Sequence, residues 1–409
     1  MLLSIVASGL NYIIYPLFSR ILGSGEYVDI TISLSLFTQA STFLSSILAI
    51  TIGLSKNERK DAGETNQKIE LLQAFLFKLF LALSLLFLLF SPILAEQLHI
   101  SALFAIPISL MMLLAIPIQI ISGYLNGKNQ MAKLGFVVLI SAGSQFSIGL
   151  VASLLSHSAL LTMLSMTIAQ LVSLGLIYTI FSKDHLPVIT RTLRTPLSTI
   201  RDKDFRKLLL YTGYSSLAIM AVGLIQIIDL FILQNLENVD MKFYADIYVI
   251  SRVVFFAGMI FIWPFLGEMR VDHHHHNRKP FGKVLLSFGA ITLLAVIGLY
   301  FAGDLLMNLL FSVHYGLPLV RDIGILSVLY KFFLLVITAT VLYFIVLRSY
   351  IAIWFAAITS GAIYLFSLIV SKHSDMLSVL IWLNIIAGLA AAIGVAMLLF
   401  KTSVRHKTT

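Results

Sequence analysis

Basic residues gather in every second gap between long apolar stretches of this chain. A helix that crosses a bilayer needs about 20 predominantly apolar residues. Twelve stretches meet that length: 2–22, 30–54, 70–95, 100–123, 132–156, 158–181, 208–234, 243–267, 284–302, 321–347, 351–371 and 376–400. If the first begins inside, the inner gaps and the C-terminal tail hold 21 Lys and Arg. The outer gaps hold only Arg20, Lys242, Arg321 and Lys372. Such a bias orients a membrane protein with its basic loops in the cytoplasm. The expectation is therefore an all-α polytopic membrane protein with twelve transmembrane helices and both termini cytoplasmic.

That arrangement explains the net charge of +9. The surplus is a topology signal, with some attraction to anionic lipid headgroups, and does not call for nucleic acid. Charged residues make up only 11% of the chain, against about 25% in a soluble domain. The spans use most of the 409 residues, so no soluble domain of ordinary size fits between them. Without cysteine there is no disulfide, thiolate nucleophile or cysteine metal site. No cofactor or metal is expected. The N-terminus has no basic residue before Arg20 and no polar cleavage region, so it reads as a spanning helix and not a signal peptide. It lacks the basic inner anchor of the other spans, as expected of a chain shortened at its start.

The strongest boundary is 182–207, with seven basic residues and Pro187 and Pro196. It separates an N-terminal six-helix lobe, 1–181, from a C-terminal lobe and short basic tail, 208–409. The lobes read as repeats. Glu26-Tyr-Val-Asp-Ile30 is echoed by Phe243-Tyr-Ala-Asp-Ile247, each at the outer start of an even-numbered span. Six is an even number, so the repeats share one orientation, about an axis along the membrane normal. Pro16, Pro107, Pro117 and Pro264 fall within spans. Each is either a harmless kink or a bend in a helix lining a moving cavity.

Three basic residues are left inside the hydrocarbon: Lys78, Arg252 and Lys331. The clearest acid at depth is Asp229, in span 7. Charge there is costly unless paired or wetted, which makes these residues functional candidates. Arg252 lies roughly 13 Å below the outer end of span 8. Spans 7 and 8 are consecutive and antiparallel, so Arg252 can reach Asp229, either as a structural ion pair or as an ionisable pair on a cavity wall. Lys331, near mid-membrane in span 10, is poorly placed to snorkel and reads as cavity-lining. Lys78 either snorkels inward or lines the same cavity. Arg20 closes span 1 at the outer face. Asp29 and Asp246 hold matched positions near the outer interface, as gate residues or as helix caps. A wet cationic cavity suits a diphosphate or acidic sugar, because Arg binds phosphate oxygens in a fork.

Enzyme signatures fail on inspection. Gly123–Lys128 is one residue short of a phosphate loop and has no Ser or Thr after the lysine. Asp202-Lys203-Asp204 resembles a metal-binding acid pair, in a loop too short to hold a nucleotide sugar. The run His273–His276 is a solvated tract that binds a transition metal weakly at best.

Asn11-Tyr-Ile-Ile-Tyr-Pro-Leu-Phe-Ser-Arg-Ile-Leu-Gly23, followed by Glu26-Tyr27, resembles the opening of polysaccharide-type flippases. Asp229-Leu-Phe-Ile-Leu233 through Phe243-Tyr244-Ala245, with Arg252 and Pro264, is similar to their seventh and eighth helices. Leu309–Tyr315 resembles their short outer segment, and Gly123–Asn129 their turn after the fourth helix. The family is the polysaccharide transporter branch of the multidrug/oligosaccharidyl-lipid/polysaccharide exporter superfamily. The resemblance implies two six-helix bundles in a V, working by alternating access. It also implies an undecaprenyl-diphosphate-linked oligosaccharide cargo, flipped from the inner to the outer leaflet of the cell membrane. Arg20, Arg252 and Asp229 are the positions it would assign to function. With no ATP motif, energy would come from an ion gradient (H+ or Na+), the membrane potential or the cargo gradient, and Asp229 is the candidate coupling carboxylate. A monomer is expected. The rival readings are a drug/cation antiporter of the same superfamily, whose pocket should be acidic and aromatic, and a membrane polysaccharide polymerase or ligase. The enzyme would have only Asp304 and His314 in its largest outer gap.

Overall fold

A computed structural model describes residues 2–56, 62–128, 130–181, 203–234, 236, 239–268, 278–346, 349–370 and 375–404. The described residues are helical throughout apart from turns, and no strand occurs among them. Most of linker 182–207 and the whole of His273–His276 lie outside them. The chain divides into two compact units, Met1–Ser216 and Leu217–Thr409.

The first unit contains α1 (Leu2–Ile21), α2 (Ser24–Lys56), α3 (Ala62–Leu98), α4 (Ala105–Gly127), α5 (Met131–Ser156), α6 (Ala159–Ile180) and the start of α7 (Lys203–Ile225). A single 3-10 turn, Ala102–Phe104, leads into α4. The second contains the rest of α7, then α8 (Ile228–Gln234), α9 (Met241–Glu268), α10 (Arg278–Phe311), α11 (Leu317–Val346), α12 (Ile351–Val370) and α13 (Met376–Val404). Among the described residues, eight helices are long and apolar enough to cross a membrane, and the bent pair α7–α8 makes a ninth.

Each unit is built around one enclosed helix. The apolar stretches of α4 and α11 are each 72% buried, against 22% for those of α5 and α10. Both central helices hold the fourth place in their unit when α7 and α8 are counted as one. In the first unit α4 packs against α2, α3 and α6; in the second α11 packs against α9, α10, α12 and α13. Small residues allow the close approaches, as in other helix bundles built in lipid. A Cβ on Gly123 of α4 would fall 2.8 Å from Thr51 Cβ and 3.0 Å from the Leu48 carbonyl of α2. Outward-facing side chains such as Leu89, Leu155, Leu286 and Phe301 are large, apolar and exposed, as a lipid-facing surface requires.

Span 7 is the exception to the sequence expectation. The continuous helix expected over 208–234 is broken at Gln226-Ile227, and the two pieces meet at 42°. No proline lies at the break. Instead, turn-type bonds run from Gln226 N–H to Gly223 O and from Ile227 N–H to Leu224 O. The helical bonding is thereby lost, which leaves carbonyls that need other donors.

Candidate functional site

Two neighbours on α11 supply those donors. The Tyr330 hydroxyl donates to the Ile225 carbonyl at 2.6 Å, and the Lys331 ammonium donates to the Gln226 carbonyl at 2.7 Å. The same ammonium lies 2.7 Å from Asp229 Oδ2. Asp229 stands in the first turn of α8, where the helix dipole favours negative charge. Asp229 is 0% exposed and Lys331 1%, so this is an ion pair enclosed in protein.

Helix α9 completes the enclosure. Tyr244, Tyr248, Arg252 and Phe256 recur at four-residue intervals, so they share one face of the helix. The Tyr244 hydroxyl donates to Asp229 Oδ2 at 2.8 Å. The ring of Tyr248 receives Lys331 Nζ at 4.6 Å from its centroid and the Arg252 guanidinium at 5.3 Å. Arg252 also lies 5.2 Å from the centroid of Phe256. These are cation–π distances. Asp229 Oδ2 therefore takes two donors, while Oδ1 is buried without a hydrogen-bond partner among the described residues.

Of the sequence candidates, Asp229, Lys331 and Arg252 come together here. The ion pair seen at Asp229 runs to Lys331 of α11, not to the Arg252 weighed from adjacency in the chain. Arg20 is exposed at the end of α1 and Lys78 is half-buried on α3, both in the first unit. Asp29 is half-buried in the second turn of α2. Asp246 is fully buried, as Asp229 is. It is not a cap: Asp240 caps α9, accepting from the N–H groups of Lys242 and Phe243 at 3.0 and 3.1 Å.

Asp246 instead anchors the α10–α11 connection. The Tyr315 hydroxyl donates to Asp246 Oδ2 at 3.1 Å, and the Tyr315 ring stands edge-on to Phe243 at 4.7 Å. Burial and the neighbouring Asp246 carboxylate push the Tyr315 phenol well up from its ordinary value. Asp304 Oδ1 accepts the N–H groups of Tyr315 and Gly316, each at 3.1 Å, and Oδ2 lies 3.0 Å from His314 Nδ1. Gly316 has a φ of +89°, a conformation that suits glycine.

Tyr248 and Tyr330 were not legible as site residues. The first had a signal in its four-residue spacing from Arg252, the second none. The segment resembling a phosphate loop, Gly123–Gly127, is the helical end of α4. No group of three or more His, Cys, Asp or Glu suited to a metal occurs among the described residues.

No family model matches the sequence, and no curated protein does. Solved structures do match in fold. A lipid II flippase MurJ in an inward closed conformation superposes with a TM-score of 0.70 at 14% identity, over 98% of this chain and 88% of that one. An inward-facing multidrug resistance transporter of the MATE family, from the MOP superfamily, gives 0.68 at 11% identity, over 98% and 96%. A MOP superfamily transporter from Pyrococcus furiosus, described as having a binding pocket of reverse polarity, gives 0.61 at 13% identity, over 99% and 94%. The chain has the fold of these membrane transporters.

Proposed function

We propose that this protein is an alternating-access transporter that flips an undecaprenyl-diphosphate-linked oligosaccharide from the inner to the outer leaflet, for polysaccharide synthesis. The observation that carries the reading is the Arg252 guanidinium, buried within apolar helices and set against the rings of Tyr248 and Phe256. A cation placed there is costly, and a diphosphate headgroup is the cargo that would repay its retention through charge-assisted bonds. The six-helix lobes before and after the basic linker would rock against each other as a monomer in the cell membrane, with the lipid tail left in the bilayer and an H+ or Na+ gradient as the drive. The flippase named among the structural neighbours supports the cargo class by likeness of fold alone.

A second reading is a drug/cation antiporter. The acid Asp229 with the rings of Tyr244, Tyr248 and Tyr330 near it favours it, because an acidic and aromatic pocket suits a cationic cargo. The MATE family neighbours are similar to this chain in the same degree. In either case no catalytic step is proposed.

Translocation of a fluorescent undecaprenyl-diphosphate sugar in sealed proteoliposomes tests the choice. Wild type should flip it, and Arg252→Ala should slow it about tenfold or more, the loss expected when about 1.4 kcal/mol of interaction is removed. Uptake of an organic cation without any flipping of the lipid would support the antiporter. Chain lengthening of the lipid-linked sugar would support a polymerase.

A further inference from the structure

We infer that Lys331 is a built-in cation that fills the helix break from within, and that Asp229 consequently exchanges a proton and not a metal ion. Broken membrane helices commonly expose carbonyls that bind a small cation together with a nearby carboxylate. Here those oxygens are occupied. The ammonium of Lys331 bonds to Gln226 O and to Asp229 Oδ2, both at 2.7 Å, and its remaining side faces the ring of Tyr248. Ile225 O is taken by the Tyr330 hydroxyl. A metal ion would have to share one carboxylate with an ammonium that is already in place, and like charges at close range repel strongly away from water.

The vacant atom is Asp229 Oδ1, buried and without a hydrogen-bond partner among the described residues. A proton needs only that one oxygen. Its arrival converts the carboxylate to a carboxylic acid, Lys331 keeps its own proton, and the ion pair is reduced to an ammonium facing a neutral acid. The other titratable groups facing the pair are Tyr244, Tyr248 and Arg252 of α9 and Tyr330 of α11. Helix α12 contains no Asp, Glu, Lys, Arg or His, and α13 has only Lys401 near its far end. Among the described residues named here, Asp229 is the one carboxylate that faces Lys331. As a statement about the coupling ion, this rests on the transporter reading; as a statement about the site, it does not.

The test uses the full-length purified protein without cargo, so its failure is separable from failure of the flippase proposal. Unfolding temperature is measured in sodium and in choline chloride at equal ionic strength. Wild type should unfold at the same temperature in both. Lys331→Ala, with the ammonium gone, should acquire a saturable upward shift in sodium, and the added Asp229→Asn should abolish it. The infrared difference between wild type and Asp229→Asn should contain a protonated-carboxyl band that belongs to residue 229. A sodium-dependent shift in wild type that Asp229→Asn removes would overturn the inference, as would a carboxyl band unchanged by Asp229→Asn. If Lys331→Ala does not fold, the wild-type sodium comparison and the infrared band decide.

Discussion

Tyr330 of α11 holds the carbonyl of Ile225, 105 positions earlier in the chain, through a 2.6 Å hydrogen bond. Lys331, the next residue, holds the next carbonyl. Two adjacent side chains on one helix thus close two adjacent gaps in another. The break in span 7 is thereby a specified feature, with donors built to its shape.

The Tyr330 hydroxyl can be removed with little change in shape. Tyr330→Phe leaves the Ile225 carbonyl buried and unbonded, which should cost about 1–3 kcal/mol. The purified variant should unfold several degrees below wild type. An unchanged unfolding temperature would show that another donor takes its place.

The buried pair should behave as a unit. Lys331→Met or Asp229→Asn alone leaves one group of the pair without its partner and should cost about 3–5 kcal/mol. Lys331→Met combined with Asp229→Leu should regain much of that loss, because both charges are gone. Strictly additive losses in a thermal double-mutant cycle would refute the coupling.

Packing in the first unit is checked by two glycines. Gly123→Ala should destabilise by about 1–3 kcal/mol through overpacking, since its Cβ would meet backbone as well as side chain of α2. Gly143, within α5, has nothing within 4 Å of a built Cβ. Gly143→Ala should be neutral or stabilising by up to about 1 kcal/mol. Unfolding followed by size-exclusion chromatography reads both.

Acid sensitivity should appear at the start of α13. Asp375 Oδ1 accepts the Ser378 N–H at 3.3 Å. Hydrogen bonds from the Ser378 side chain and backbone hold its carboxyl below its ordinary value. A depressed acid stabilises the fold above its unfolded-state value and loses that contribution as pH falls through the folded-state value. Asp375→Ala should therefore lower the unfolding temperature at pH 7, and the gap from wild type should narrow below about pH 4. A gap that does not depend on pH would assign the effect to helix propensity alone.

The charges at depth were legible because cost singles them out: a Lys or Asp inside twenty apolar residues is conspicuous whatever the fold. Their pairing was not. Adjacency in the chain favoured Asp229 with Arg252, yet Lys331 reaches Asp229 from 102 positions away. Helical periodicity assigns a residue to a face and leaves open which distant helix that face meets. The break at Gln226-Ile227 was likewise hidden, because its cause lies in the donors of α11 and not in a local proline. Asp246, near the start of span 8, is covered by Tyr315 from the connection between α10 and α11, a contact that nothing in the sequence marks.

The two stitches that close span 7 differ in kind. Tyr330 binds its carbonyl with a neutral hydroxyl, whose bond survives any change of charge nearby. Lys331 binds its own carbonyl while also serving a carboxylate, so its hold depends on the state of Asp229. The joint has one permanent thread and one conditional thread. Loosening the second would leave α7 and α8 still tethered at Ile225, free to swivel about that point without coming apart.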